Sequence, residues 1–426
     1  MDTSYTHPAG PLAIALVFLV IFNVLGFFTW GYGVLTFFML IAAVALVLSV
    51  RRFRDRLPGT AGNAGPTARP YSVVVAAVIV AVTLIHVISL SRFLGDPKFE
   101  NRAADIAINT FVASGVFFGK GENPYTSRCQ VLHNVTDAEN VSVEDGRITM
   151  FGVRYYYGYP YFPMMFISYA PFRLVESNYN AIRIGNLVFY LLSLAGIWWL
   201  VRGLAPREFA SYPALLAVLC FTGIWKWGRE LFRMGVTDIV IGVFLLYVFV
   251  SLLHRKTALA GILMGCALAC KLAPGVLVFI VIALWLRGRP RDLRIFCLWA
   301  IGVALAIIVP FVVWSPSGFL SATILYYLTY HAGGTNTSLW YFMPDPLKTP
   351  LLIVGAGLVL YVLYRAFRAK AAPLATPLTL AFVAQLLFAA FNRMTHLNYV
   401  WSVYALGCVA LVVGAFSVRN PREATP

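Results

Sequence analysis

The chain has 426 residues, of which 60% are hydrophobic and only 12% charged, and its mean hydropathy is +0.79. That balance excludes a soluble globular domain. The net charge of +16 is not a nucleic-acid footprint, because its lysines and arginines sit in short clusters between apolar runs. Those clusters are Arg51, Arg52, Arg54 and Arg56; Arg255 and Lys256 beside His254; Arg287, Arg289, Arg291 and Arg294; Arg365, Arg368 and Lys370; and Arg419 and Arg422. Such spacing reads as the cytoplasmic loops of a multi-pass membrane protein, in contact with anionic lipid.

Apolar runs fall near 11–29, 33–50, 71–91, 160–176, 183–201, 208–224, 236–253, 257–286, 295–314, 349–366, 373–391 and 396–418. The expected fold class is therefore all-α, a polytopic membrane protein of about 12 transmembrane helices. The first run lacks a basic n-region and leads into a second, so it reads as a span rather than a cleaved signal. Residues 1–56 form an N-terminal transmembrane hairpin, and 57–70 a Gly/Pro-rich cytoplasmic linker. The remainder, 71–426, is one transmembrane domain.

Eight of the 17 acids lie in the loop 92–150, which the basic linker before the third run places outside. Its first half carries Ile106, Ile108, Phe111, Val112 and Val116 at near-helical spacing and reads as a membrane-surface helix. The second half, from GKGENPY to Arg147, shows no clear period and reads as loop. Between 150 and 236 the topology does not close. Both the acidic loop and Asp238 belong outside, which needs an even number of crossings, yet three apolar runs lie between them. The Tyr/Pro-rich stretch around 155–174 reads as broken or re-entrant.

Thr257 to Leu286 is apolar except for Lys271 and has basic clusters at both ends. A straight helix of that length spans about 45 Å, against a hydrocarbon core of about 30 Å. Two basic flanks place both ends on the cytoplasmic side. The economical solution is a hairpin of two short helices broken where Pro274 follows the lysine. One long tilted helix with a snorkelling lysine is the alternative. A lysine deep in the bilayer costs about 2.5–3.5 kcal/mol, so an anionic partner is expected. A second outer loop, 314–350, is rich in aromatics, Gly and Pro.

Five of the six cysteines lie in or beside apolar runs, and no Cys/His zinc spacing exists, so neither a disulfide framework nor a metal is assigned. No cofactor is implied.

Four stretches resemble the GT-C glycosyltransferases, most closely glycosyltransferase family 87, which includes actinobacterial polyprenyl-phosphate-mannose-dependent mannosyltransferases. In the first outer loop Asp105 precedes GKGENPY, with Pro124 and Tyr125. YGYPYFP, with Tyr159 and Pro160, opens the next apolar run. RMGVTDIVIG is followed by HRK and AGILMGCALACKLAP. A late outer loop carries Asn336 and Ser338, preceded by His331. The third stretch is the most specific. The chain departs from the family where Gly-Gln-x-Asn is common and Gly235, Val236, Thr237 and Asp238 stand instead. That Asp resembles an acidic position of the related transferases of aminoarabinose to lipid A, and it puts the donor sugar in question.

The resemblance implies transfer of a sugar, expected to be mannose, from a polyprenyl-phosphate donor to a glycolipid or polysaccharide hydroxyl on the outer face of the cell membrane, with inversion. Such a reaction serves glycolipid biosynthesis in the cell envelope. It needs a base for the acceptor proton and cations or donors for the phosphate oxygens. Asp105 is the implied base, with Glu100 and Asp96 as alternatives; an ion pair with Arg102 is its plain structural reading. Lys271 is the implied phosphate ligand. His331 and His396 are placed to relay a proton or bind the phosphate, or else are satisfied interfacial histidines. Asp238 opens an apolar run, either as a cavity acid or as a helix cap. Arg393, Tyr159 and Asn336 complete the implied substrate contacts. A lipid or sugar transporter also accommodates an intramembrane lysine, but no inverted repeat is visible.

Overall fold

The computed structural model describes residues 73, 75–84, 87–88, 105–127, 141–144, 147–150, 153–156, 158–205, 211–223, 231–325, 338–339, 343–370, 372–392 and 399–416. The expected N-terminal hairpin and linker, residues 1–70, lie outside them.

Eleven helices organise the described chain: α1 (Asp105–Lys120), α2 (Pro163–Tyr169), α3 (Asn180–Leu204), α4 (Tyr212–Thr222), α5 (Ile239–Leu253), α6 (Thr257–Leu268), α7 (Leu272–Leu286), α8 (Pro290–Trp314), α9 (Asp345–Arg368), α10 (Ala375–Phe391) and α11 (Tyr399–Phe416). Shorter pieces stand at Val75–Leu84, Ala170–Leu174 and Pro316–Leu325. The helices α3, α8 and α9 are long and apolar enough to cross a membrane by length and composition; the other apolar helices are shorter. In a bilayer the helix is the favoured answer because each backbone group bonds within its own segment.

The core sits on α5, which is buried almost all round and packs against α3, α6 and α11. The long helices α8 and α9 lie at the periphery and turn apolar side chains outward, among them Leu298, Ile301, Leu305 and Val313, and Ile353, Leu360 and Tyr364. Large outward apolar faces of this kind fit lipid rather than water.

Close contacts at glycines give the relative direction of two helix pairs. Gly203 of α3 lies against Leu253 of α5, and Gly196 against Leu246, so α3 and α5 run parallel. A β-carbon at Gly261 of α6 would stand 2.7 Å from the Phe296 carbonyl, and one at Gly265 equally close to that of Ala300. Two glycines four apart thus let α6 and α8 approach backbone to backbone, again in parallel. Because α8 starts beside the start of α6, the intervening α7 has returned to that side. The 257–286 run is the hairpin expected from its charges.

Arg202, Arg255, Lys256, Arg287, Arg289, Arg365 and Arg368 gather at one end of the bundle, where Gly288 also meets the backbone of Lys370. The break between α6 and α7, the start of α5 and all of α2 stand at the other end.

This arrangement closes the crossing count between 150 and 236. The run 160–176 does not cross. It is a seven-residue helix, about 10 Å long, followed by a 3-10 turn. The Met164 N–H donates to the Ala269 carbonyl at 2.9 Å and the Tyr169 hydroxyl to the Thr237 carbonyl at 3.2 Å, so both its ends stay at the break. Among the described residues only α3 and α4 run from one end of the bundle to the other there, and the number is even.

Two expectations change. Three strands, β1 (Val141–Glu144), β2 (Arg147–Met150) and β3 (Val153–Tyr156), form an antiparallel meander where loop was expected. Val141 pairs Met150, Glu144 pairs Arg147, and Arg147 pairs Tyr156. Also, α1 is helical as its period predicts, but Ile106 through Thr110 are all buried. Its first turns are packed into the protein against the neighbouring helices rather than laid with one face down.

Candidate functional site

Lys271 stands at the α6–α7 break with φ −159° and ψ 120°, an extended residue between two helices. Pro274 explains the break. It falls in the first turn of α7, where its missing N–H has no intrahelical partner to lose; a continuous helix would need that donor. Gln385 of α10 ties the turn down by donating to the Pro274 carbonyl at 3.1 Å.

The lysine has the anionic partner its position requires. Its Nζ lies 2.9 Å from Asp238 Oδ2, with the carboxylate fully buried and the lysine side chain 10% exposed. Two rings flank the ammonium: Tyr399, at the start of α11, with its centroid 3.7 Å from Nζ, and Tyr161 at 5.6 Å. Both are cation–π contacts, strengthened by the exclusion of water. Asp238 immediately precedes α5 but makes no side-chain cap bond, so the carboxylate serves the lysine and not the helix end. Its second oxygen, Oδ1, is buried without a hydrogen-bond partner, as is the neighbouring Thr237 Oγ1. Because Asp238 and Lys271 touch, the N-termini of α5 and α7 lie side by side, and both dipoles favour negative charge there.

Three buried side chains hold the turn that delivers Asp238. Arg183 of α3, 1% exposed, donates Nε to the Phe232 carbonyl at 3.0 Å and one terminal nitrogen to the Arg233 carbonyl at 2.9 Å. Its other terminal nitrogen donates to Asn180 Oδ1 at 2.6 Å. Asn186, one turn on, donates to the carbonyls of Leu231 and Val236 at 3.1 and 3.0 Å. The Tyr169 hydroxyl lies 2.5 Å from Asn186 Oδ1 and reaches the Thr237 carbonyl. The carbonyls of 231, 232, 233 and 236 are thereby satisfied by side-chain donors, and that of Thr237 also accepts from the Val240 N–H, in a buried place where none could be left bare. Gly235 permits the bend, with φ +68°, and a β-carbon there would stand 3.0 Å from Ala107 Cβ. The turn therefore packs directly on the first turn of α1.

Asp105 opens α1, so its backbone stands beside this turn; its side chain is not among those described. Tyr159 is fully buried. Its hydroxyl pairs with Thr110 Oγ1 of α1 at 3.0 Å, and its N–H donates to the Pro124 carbonyl at 2.9 Å. The Tyr125 hydroxyl in turn donates to the Tyr161 carbonyl at 2.8 Å. YGYPYFP and GKGENPY are thus one joint that sets α1 against the break. Glu100, Asp96, His331, Asn336, Arg393 and His396 lie outside the described residues. Among the described residues, no group of three His, Cys, Asp or Glu comes together as a metal site.

Sequence reasoning placed Lys271 and Asp238 in the site and missed Arg183, Asn186 and Tyr169. The available signal was Arg183 and Asn186, polar residues three apart and on one face near the start of an apolar helix.

Two solved structures resemble the chain in fold. One is ArnT from Cupriavidus metallidurans in the apo state, 18% identical with TM-score 0.49, covering 84% of this chain and 61% of that chain. The other is ArnT from the same organism bound to undecaprenyl phosphate, 16% identical with TM-score 0.47, covering 83% and 61%. The chain thus spans about three-fifths of the length of those proteins. A comparison with curated proteins gives no match. The family model for Glycosyltransferase family 87 matches residues 159–425. That match takes in the 231–238 turn, the α6–α7 break and every helix from α2 to α11, more than half of the sequence, and the chain belongs to glycosyltransferase family 87.

Proposed function

We propose that the protein transfers a sugar, mannose by the family resemblance, from a polyprenyl-phosphate carrier to an acceptor hydroxyl on the extracytoplasmic face of the membrane. The observation that carries this reading is the buried Lys271–Asp238 pair at the α6–α7 break, flanked by two helix N-termini and by the start of α1. The pair stands at the end of the bundle opposite the basic residues, and positive charge marks the cytoplasmic side.

In this reading Lys271 holds the donor phosphate. The acceptor oxygen attacks the anomeric carbon as the carbon–oxygen bond to the phosphate breaks. The bonding pair leaves with the phosphate oxygen, and the acceptor proton passes to Asp105. Inversion follows from a single displacement. The ammonium and the helix N-termini stabilise the charge that grows on the departing phosphate, in a site where little water competes. The acceptor is a glycolipid or polysaccharide, and His331, His396, Arg393 and Asn336 are the further substrate contacts.

The test is transfer of radiolabelled mannose from polyprenyl-phosphate-mannose to membrane lipids, comparing the wild type with Asp105→Asn. Transfer that the substitution abolishes, at equal expression and thermal stability, supports the enzyme and its base together. Transfer that survives moves the base to Glu100, Asp96 or Asp238. A wild type inactive with every polyprenyl-phosphate sugar in a donor panel refutes the reading.

A further inference from the structure

Lys271 is already neutralised. Its one salt-bridge partner among the described residues is a carboxylate that belongs to the protein, at 2.9 Å, the distance a phosphate oxygen would take. The two halves of the pair differ in freedom. Asp238 is fully buried, and the turn before it is held by Arg183, Asn186 and Tyr169. Lys271 sits on an extended residue between helices, at the end of four rotatable bonds. The ammonium is therefore the part that swings, and the carboxylate the part that stays.

Accepting the phosphate reading above, we propose that Asp238 is a built-in competitor for Lys271, an internal anion that occupies the ammonium in the empty site and drives spent polyprenyl phosphate off it. A phosphate on Lys271 shares one cation with a buried carboxylate whose backbone the turn holds in place. Like charges a few ångströms apart in a poorly solvated place repel strongly. The carrier arrives as a phosphodiester with one negative charge and departs as a monoester that carries up to two. Repulsion from Asp238 thus weighs more on the product than on the substrate, and the returning Lys271–Asp238 pair closes the cycle. The bare Oδ1 is consistent with this role: the carboxylate holds the lysine through one oxygen and is not tied into a bonded network of its own.

Binding and release of undecaprenyl phosphate by purified protein in nanodiscs tests this for wild type, Lys271→Gln, Asp238→Asn and Asp238→Ser. Asn preserves the shape of the carboxylate, and Ser suits the residue before a helix, so the two fail to fold for different reasons if either does. The expected result is binding by wild type, loss in Lys271→Gln, and a gain of about tenfold or more in affinity, mostly through slower release, in both Asp238 variants. Equal or weaker binding by a folded Asp238 variant overturns the competitor role and leaves the phosphate reading standing. No binding by wild type, or binding untouched by Lys271→Gln, removes the phosphate reading and this inference with it.

Discussion

Ala107 occupies the space into which a β-carbon on Gly235 would project, with 3.0 Å between that position and Ala107 Cβ. The contact joins the helix that Asp105 opens to the turn that ends at Asp238, with no linker between them. Gly235→Ala meets a steric obstacle and a left-handed backbone at once. The expected cost is about 1–3 kcal/mol, read as a lower melting temperature in detergent. Sugar transfer should fall further than that loss explains, because the two halves of the site separate.

Arg183 offers a second measurement. Arg183→Met leaves the carbonyls of Phe232 and Arg233 and the Asn180 side chain without their donor. Each hydrogen bond lost in so buried a place costs about 1–3 kcal/mol, so this variant should be recovered poorly from the membrane or unfold well below wild type. Arg183→Lys restores the charge without the fork and should fall between the two. Melting curves for the three proteins in one detergent check the order; equal values would mean that the clamp contributes nothing.

The ion pair separates structure from function. Lys271→Ala strands a buried carboxylate and should destabilise by about 3–5 kcal/mol. The double variant Lys271→Gln with Asp238→Asn replaces both charges by hydrogen-bonding amides and should regain most of that loss. It should remain inactive in sugar transfer. A double variant that is stable and active would place the phosphate elsewhere.

Orientation can be read by labelling. Lys256 follows α5 at the basic end, and Glu122 is exposed just after α1 at the other. Single cysteines at these positions, in a background without the native six, should react differently with an impermeant maleimide. Glu122→Cys should label in intact cells and Lys256→Cys only after permeabilisation. The reverse pattern would put the site in the cytoplasm.

The α6–α7 hairpin was legible because three local signals agree: basic residues at both ends, excess length, and a proline three residues after a lysine. That Lys271 needs an anion was also legible. Which anion was not, since Asp238 lies 33 positions earlier in the sequence and only the packing of α5 beside α7 brings them together. The clamp was hidden for a similar reason. Its acceptors are backbone carbonyls, which every residue carries and no sequence distinguishes. The meander was missed although Asp145-Gly146, a pair favoured in two-residue hairpins, separates alternating residues on either side. The crossing count stayed open in the sequence because an apolar run of seventeen residues has nearly the length of a span while its prolines mark a break; the structure shows the break, a short helix and a 3-10 turn with prolines at 163 and 171.

The close pairing of α6 with α8 has a consequence for depth. The two helices run level from Gly261 to Gly265, where Val303 stands against Gly265; beyond that level α6 has three residues left, to Leu268, while α8 has eleven, to Trp314, about 16 Å. Lys271 therefore lies about 10 Å below the top of its neighbour, allowing for the last turn of α6. In the phosphate reading proposed above, a phosphate that travels at the level of the top of α8 has to sink by that much to reach the ammonium. On that reading membrane thickness enters the reaction: a thinner membrane shortens the descent, and a thicker one lengthens it.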